Sequence, residues 1–344
     1  MTEDWDTGQL GRYLAAHVPG FRDLRGVQKF DGGQSNPTYL LTAGSGLYVL
    51  RRKPSGVLLK SAHAVDREFR VIAALAGTAV PVPETLHLCE DPDVMGAAFY
   101  VMSFVRGRTL WDPSLPDADV AARGAIYDEM NRVLAAIHGV DIVAAGLADF
   151  GKPGNYFERQ FTRWTGQYRL SETGPIPAME AVIRWLGDNM VADDGRVALV
   201  HGDYRLDNFL FAPEGTGIVA VLDWELSTLG HPFADLAYQC ALWRMPPDAA
   251  LRGLGGVDRK RLGIPEEADY VARYCARTGI AGIDNWPFYL AFSLFRMAAI
   301  VQGVKKRALD GNAASGRALA VGALAEPLAQ LAADLIDGRH PRHV

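Results

Sequence analysis

Cysteine is scarce, and the three present form no pattern. Cys89, Cys240 and Cys275 lie far apart and make no CxxC pair, which excludes a disulfide framework and fits buried apolar roles in a reducing cytoplasm. A basic excess is also lacking. Lys plus Arg number 35 against 40 Asp plus Glu, a net charge of −5, which argues against wholesale nucleic-acid binding. The first residues, MTEDWDTGQLGRYLAAHV, show no basic start followed by an apolar run, so no secretory signal is visible. The most apolar late stretch, FYLAFSLFRMAAIV, is too short to span a bilayer and is interrupted by Arg296. The expectation is a soluble cytoplasmic protein with no membrane or nucleic-acid partner.

What is present is a globular composition, 49% hydrophobic and 22% charged over 344 residues, enough for a sizeable core and more than one structural unit. Charge is uneven along it. From Ala241 onward there are 14 Lys plus Arg against 10 Asp plus Glu, which leaves −9 on the preceding 240 residues. A basic C-terminal part is ordinarily a solvated surface and less often an anion-binding one.

After a short amphipathic helix (Leu10, Leu14, His17), VQKFDGGQSNPTYLLTAGSGLYVLRRKP reads as three β-runs joined by a Gly-Gly turn and by AGSG. SAHAVDREFRVIAALAG then puts Val65, Phe69, Ile72 and Leu75 at helical spacing, with Ser61 as N-cap and Gly77 as stop. ETLHLCE and AAFYVMSFV complete a small sheet. A connector, RGRTLWDP, follows, and from about Pro116 the pattern is helical. Its one β-like interruption is Val197 to Asp223, and an Ala-rich helix is expected near Ala313 to Ile336.

That interruption holds the densest chemistry in the chain. In LVHGDYRLDNFLF, Gly202, Asp203, Asp207 and Asn208 favour turns between short apolar strands. Asp203 and Asn208 have the H-x-D-x-x-x-x-N spacing of a phosphoryl-transfer loop, and Asp223 follows fifteen residues later at a strand end, in LDWE. One carboxylate orients a hydroxyl, while hard oxygen donors hold Mg2+. The bland alternative is an Asx-rich turn that caps its neighbours. His201 reads as a structural hydrogen-bonder, and the aromatic groups of NYFERQFTRWTGQY and IDNWPFYLAFSLF read as helix-packing core.

The ordered set of motifs resembles the aminoglycoside phosphotransferase and choline kinase family, which has the protein-kinase-like fold. The resemblance implies a bilobal α+β architecture: an N-terminal nucleotide-binding lobe, residues 1–105, with a small antiparallel sheet, and a mainly helical C-terminal catalytic and acceptor-binding lobe, residues 106–344. It casts Asp203 as the base, Asn208 and Asp223 as Mg2+ ligands and Asp235 of HPFADLA as a brace for the loop. FDGGQSNPTYLL resembles the loop that covers the ATP phosphates, with Gly32, Gly33, Ser35 and Asn36. LYVLRRKP resembles the strand carrying a phosphate-holding cation, here Arg51 where the family has lysine, with Glu68 as its helix partner. YVMSFVRG resembles the connector that bonds adenine through backbone near Ser103 and Val105. Arg51 could equally be a solvated edge cation, and the glycine pair an ordinary hairpin turn.

Several stretches, among them VLRRKPSGVLLKSAHAVDREFRVIAAL and FRMAAIVQGVKKR, resemble the branch found beside or fused to acyl-CoA dehydrogenases. This implies ATP-dependent phosphorylation of a hydroxyacyl-CoA or similar anionic hydroxy compound, with a functional link to a dehydrogenase. Arg296, Lys305, Lys306 and Arg307 lie in the lobe expected to bind the acceptor, a charge pattern that agrees with an anionic one. The alternatives are an aminoglycoside kinase and a nucleotide-binding pseudokinase partner of a dehydrogenase.

Overall fold

The computed structural model describes residues 6–30, 36–54, 64–311 and 318–339. Helix α1 (Thr7–His17) starts where the Asp6 carboxylate accepts the Gly8 N–H at 2.7 Å and buries Leu10 and Leu14, one turn apart. Then come strands β1 (Leu24–Lys29), β2 (Thr38–Ala43) and β3 (Gly46–Arg52), helix α2 (Val65–Leu75), strand β4 (Thr85–Cys89), the single-turn α3 (Pro92–Met95) and strand β5 (Phe99–Ser103). The five strands make one antiparallel sheet in the order β1-β2-β3-β5-β4.

The two-residue period of a strand decides what each face of this sheet meets. Leu50, Phe99 and Val101 join Leu10, Leu14 and Phe21 in a small core under α1. Their neighbours Val49, Tyr100 and Met102 belong to the large core shared with α2 and the helical lobe. Arg51, next in β3 after Leu50 and paired with Tyr100, therefore emerges on the face toward that lobe. Helix α2 covers the same face through Val65, Val71, Ile72 and Leu75, each worth about 1.5–3 kcal/mol when buried. It begins at Val65 after Ala64, and Ser61, the expected cap, lies outside the described residues.

The helical lobe runs through α4 (Val120–His138), capped by Asp119, α5 (Tyr156–Ser171) and α6 (Pro177–Asp188) to strands β6 (Ala198–Val200), β7 (Phe209–Phe211), β8 (Ile218–Val221) and β9 (Thr228–Gly230). It closes with α7 (Phe233–Leu242), α8 (Arg259–Leu262), α9 (Glu267–Thr278), α10 (Trp286–Leu309), α11 (Ala318–Gly322) and α12 (Ala325–Ile336). The α+β reading of the sequence is the architecture observed.

Three local expectations are corrected. The β interruption extends past Asp223 to Gly230, because β9 pairs antiparallel with β6. The Ala-rich segment forms two helices, α11 and α12, and residues 313–317 lie outside the described set. The apolar late stretch belongs to a 24-residue helix, α10, long and apolar enough by composition to cross a bilayer; 78% of its apolar window is instead buried in the fold. Helix α10 packs against α5, α6, α7, α11 and α12, and its aromatic residues Phe288, Tyr289 and Phe292 surround Phe157 of α5.

Candidate active site

The loop between β6 and β7 is held from behind by one buried carboxylate. Asp235, in the first turn of α7, accepts the backbone N–H of His201 at 2.6 Å and of Gly202 at 2.8 Å. The His138 ring adds a contact at 3.4 Å and is itself hydrogen-bonded to the Tyr274 hydroxyl. Burial pushes the Asp235 carboxyl up, but His138, His201 and the Gly202 N–H outweigh it and hold the group below the usual range. Glycine at 202 has a local reason: φ is +85°, and a Cβ there would stand 2.6 Å from the Leu226 carbonyl oxygen. His201 ties two segments together, with Nε2 donating to the Leu222 carbonyl and Nδ1 accepting the Asp203 N–H. That is the structural role read from the sequence.

Asp203 is surrounded by donors. Tyr238 of α7 donates its hydroxyl to Oδ1 at 2.5 Å, Asn208 Nδ2 donates to Oδ2 at 2.9 Å, and Arg205 Nε stands 3.3 Å from Oδ2. Burial pushes this carboxyl up, yet the Arg205 charge, the Tyr238 hydroxyl and Asn208 together hold it below the usual carboxylate range. Arg205 also reaches Asp207 at 3.0 Å, whose carboxyl burial nonetheless pushes up. Because the Asn208 amide nitrogen is spent on Asp203, its Oδ1 is left as an acceptor. The Asn208 carbonyl accepts the Leu222 N–H, which fixes Asn208 beside the strand end that carries Asp223.

Asp223 is a non-glycine residue at φ +63°, a conformation that costs about 1–3 kcal/mol and is found at functional positions. Its Oδ1 meets Arg51 at 2.5 Å, and Arg51 Nε faces Glu68 at 2.8 Å, an ion pair too bent to count as a hydrogen bond. Glu225 stands 3.8 Å from Arg51 and accepts from Asn36 at 3.3 Å. Burial raises the Glu68 carboxyl, opposed by the Arg51 charge. Burial alone would lower Arg51, but Glu68 and Asp223 overcome it and raise the guanidinium well above its ordinary value. The structure thus joins Arg51, Glu68, Asn36 and Asp223 across the two halves of the fold, with Arg51 largely buried and not a solvated edge cation.

Hard-cation binding can be tested against these residues. Among the described residues no three His, Cys, Asp or Glu side chains converge on a metal-sized point. Asn208 Oδ1 and the one-third-exposed Asp223 side chain, whose Oδ2 takes no hydrogen bond among the described residues, are a two-oxygen donor set. That fits Mg2+, which keeps several waters and takes substrate phosphate oxygens, rather than a metal needing an all-protein cage.

The connector contributes unevenly. The Ser103 N–H is committed to the Glu84 carbonyl at 2.8 Å, while the Val105 N–H has no partner among the described residues. Gly32, Gly33 and Ser35 lie outside the described residues. Arg296, one of four cations of the C-terminal lobe whose charge agreed with an anionic acceptor, is buried: it donates to the Gly202 carbonyl at 2.9 Å and lies over the rings of Tyr238 and Trp164. Lys305 is nine residues on, about 13 Å along the helix, and Lys306 pairs with Asp310. These four cations do not form one patch. A cavity of about 490 Å³ between α5 and α6, lined by Tyr168, Glu172, Glu180 and Arg184, contains none of the Asp203 cluster.

Sequence reasoning missed Arg205 and Tyr238. Tyr238 had a signal, since it sits three residues beyond Asp235 and so shares its helix face. Arg205 lies inside the loop motif itself.

A family model described as the phosphotransferase enzyme family matches residues 26–275. The chain is 52% identical over 322 residues to acyl-CoA dehydrogenase family member 10 of Mus musculus, an alignment covering 93% of this chain and 30% of the mouse protein. The chain therefore spans under a third of that relative. A crystal structure from Ralstonia eutropha, provisionally described as an aminoglycoside phosphotransferase, is 50% identical with a TM-score of 0.89, covering 97% of this chain and 99% of its own. An aminoglycoside phosphotransferase crystallised with ADP and hygromycin B shares the fold at 16% identity and a TM-score of 0.63, covering 95% of this chain and 98% of its own.

Proposed function

The chain belongs to the phosphotransferase enzyme family, and from that premise we propose that it transfers the γ-phosphoryl group of ATP to a hydroxyl of a small anionic molecule. The favoured acceptor class is a hydroxyacyl-CoA. The observation that carries the transfer is the Asp203 carboxylate, fixed by Tyr238, Asn208 and Arg205 on a loop clamped by Asp235. In this reading residues 1–105 bind the nucleotide and residues 106–344 supply the base and the acceptor site.

The acceptor oxygen forms a bond to the γ-phosphorus as the bond from that phosphorus to the β,γ-bridging oxygen breaks, and its electron pair leaves on ADP. Asp203 orients the attacking hydroxyl and takes its proton. Arg51, poised between Glu68 and Asp223, exchanges its contact with Asp223 for phosphate oxygens. Asn208 and Asp223 would hold Mg2+, which when bound neutralises charge on the phosphates. The Val105 N–H, without a partner among the described residues, would be a backbone donor for the adenine edge.

The acceptor class rests on the likeness to the mouse protein, which carries an acyl-CoA dehydrogenase name; the same likeness motivates a functional link to such a dehydrogenase. A second reading, an aminoglycoside acceptor, draws on the description of the Ralstonia protein. Incubation with Mg-ATP and separate panels of 4-hydroxyacyl-CoAs, aminoglycosides and choline-like alcohols, read by mass as gain of one phosphate, tests these. Phosphorylated acyl-CoA supports the first reading, phosphorylated aminoglycoside the second. No product with any acceptor would favour a non-catalytic nucleotide-binding partner of a dehydrogenase.

A further inference from the structure

Resting on the phosphotransferase reading, we infer that Tyr238 is a positioning residue for the transfer: its hydroxyl holds the Asp203 carboxylate so that a single lone pair, on Oδ1, is left for the acceptor hydroxyl. Each carboxylate oxygen offers two lone pairs. Those of Oδ2 face the Asn208 amide at 2.9 Å and Arg205 Nε at 3.3 Å, while among the described residues Oδ1 has Tyr238 alone, at 2.5 Å. An acceptor hydroxyl must therefore approach the oxygen that Tyr238 already holds.

Tyr238 does not give way to it. Its side chain is buried on α7, and a hydroxyl bound to a carboxylate at this separation is a charge-assisted bond of the strong kind. Three residues earlier on the same helix, Asp235 holds the N–H groups of His201 and Gly202. Helix α7 thus grips the loop twice, by the backbone before Asp203 and by the Asp203 carboxylate itself. A third element completes the grip: Arg296 of α10 donates to the Gly202 carbonyl and lies 5.8 Å from the Tyr238 ring and 5.7 Å from the Trp164 ring. A cation over the phenol ring makes its hydroxyl a better donor.

Without that hydroxyl, Asp203 keeps the restraints on Oδ2 and loses the one on the oxygen that meets the acceptor. Tyr238→Phe is expected to lower kcat about tenfold, the loss of one charge-assisted hydrogen bond, with the KM for ATP and the affinity for ADP unchanged. The assay uses the full chain with Mg-ATP and a 4-hydroxyacyl-CoA, and with water as the basal acceptor. Cys240→Ala, a buried change on the same helix with no polar partner at Asp203, controls for packing and is expected to lower thermal stability while kcat holds. Equal kcat in Tyr238→Phe and wild type, or an equal fall in Cys240→Ala, overturns the inference while leaving the transfer reading intact. A wild-type protein inert with every acceptor overturns both. Should Tyr238→Phe not fold, proton NMR of the wild type decides: a low-field, slowly exchanging hydroxyl resonance that moves upfield in Asp203→Asn supports the contact, and its absence removes it.

Discussion

The two halves of the candidate site are held by different means. Around Asp203 every restraint comes from the helical lobe: Tyr238 and Asp235 on α7, Asn208 and Arg205 in the same loop, Arg296 on α10. Around Arg51 the restraints cross between lobes, joining a strand and a helix of the small sheet domain to Asp223 and Glu225. The first arrangement is complete without a ligand. The second is a set of charges whose partners would change on nucleotide binding in the proposed function, because Arg51 occupies one oxygen of the proposed metal-binding carboxylate. The difference teaches that the Asp203 carboxylate is fixed by the scaffold that carries it, whereas the Arg51 side is assembled from ion pairs between the two halves of the fold.

The largest expected effect breaks the fixed half directly. Asp203→Asn should reduce turnover of Mg-ATP with the acceptor by about 10²–10⁴-fold and leave ADP affinity, measured by calorimetry, within about twofold, since nucleotide contacts belong to the other half. Retained turnover would remove Asp203 from the mechanism. Next in size, Asp235→Ala leaves two buried N–H groups, those of His201 and Gly202, without an acceptor. A loss of about 3 kcal/mol in chemical denaturation is expected, and a loss under about 1 kcal/mol would mean that the loop holds itself without α7.

The exchangeable half should be more forgiving. Arg51→Lys replaces a fork that reaches Glu68 and Asp223 together with a point charge. The KM for ATP is expected to change less than about tenfold and the thermal midpoint to fall by about 2 °C; abolished nucleotide binding would show this side to be as rigid as the other. The smallest effect concerns pH. His231, at the start of α7, is buried against Phe233 and Tyr289, and burial lowers its pKa from the ordinary 6.5 despite Asp194 at 3.2 Å. In the window below 6.5 the unfolded chain binds the proton and the folded chain does not, so this contribution to stability is present above that pH and lost as pH falls through it. Between pH 7.5 and 5.5 the wild type should lose up to about 1 kcal/mol more than His231→Gln, measured by urea denaturation at each pH, and parallel losses in the two proteins would contradict this placement.

The same division marks what could be read in the sequence. The loop from His201 to Asn208, and Asp223 beyond it, was legible because turn-forming residues and chemistry fall within a few positions of each other. The strands of the small sheet and helix α2 were legible from their periodicity. Strand β9 was not, because three residues ending in glycine carry no alternation and exist as a strand only by pairing with β6. The burial of Arg296 was not legible for a related reason: a charge in a sequence looks solvated, and only the packing of α10 on α7 and α5 shows it buried over two rings.

By itself the sequence determined which local segments turn, cap and alternate, and hence the lobes and the order of the polar groups, since those depend on interactions over a few residues. Only the tertiary structure decided that Tyr238 meets Asp203, that Arg51 meets Asp223 across 172 positions, and that Arg296 faces inward. Hydrogen bonds and ion pairs between distant segments depend on how whole elements pack, and packing leaves no spacing in the chain to read.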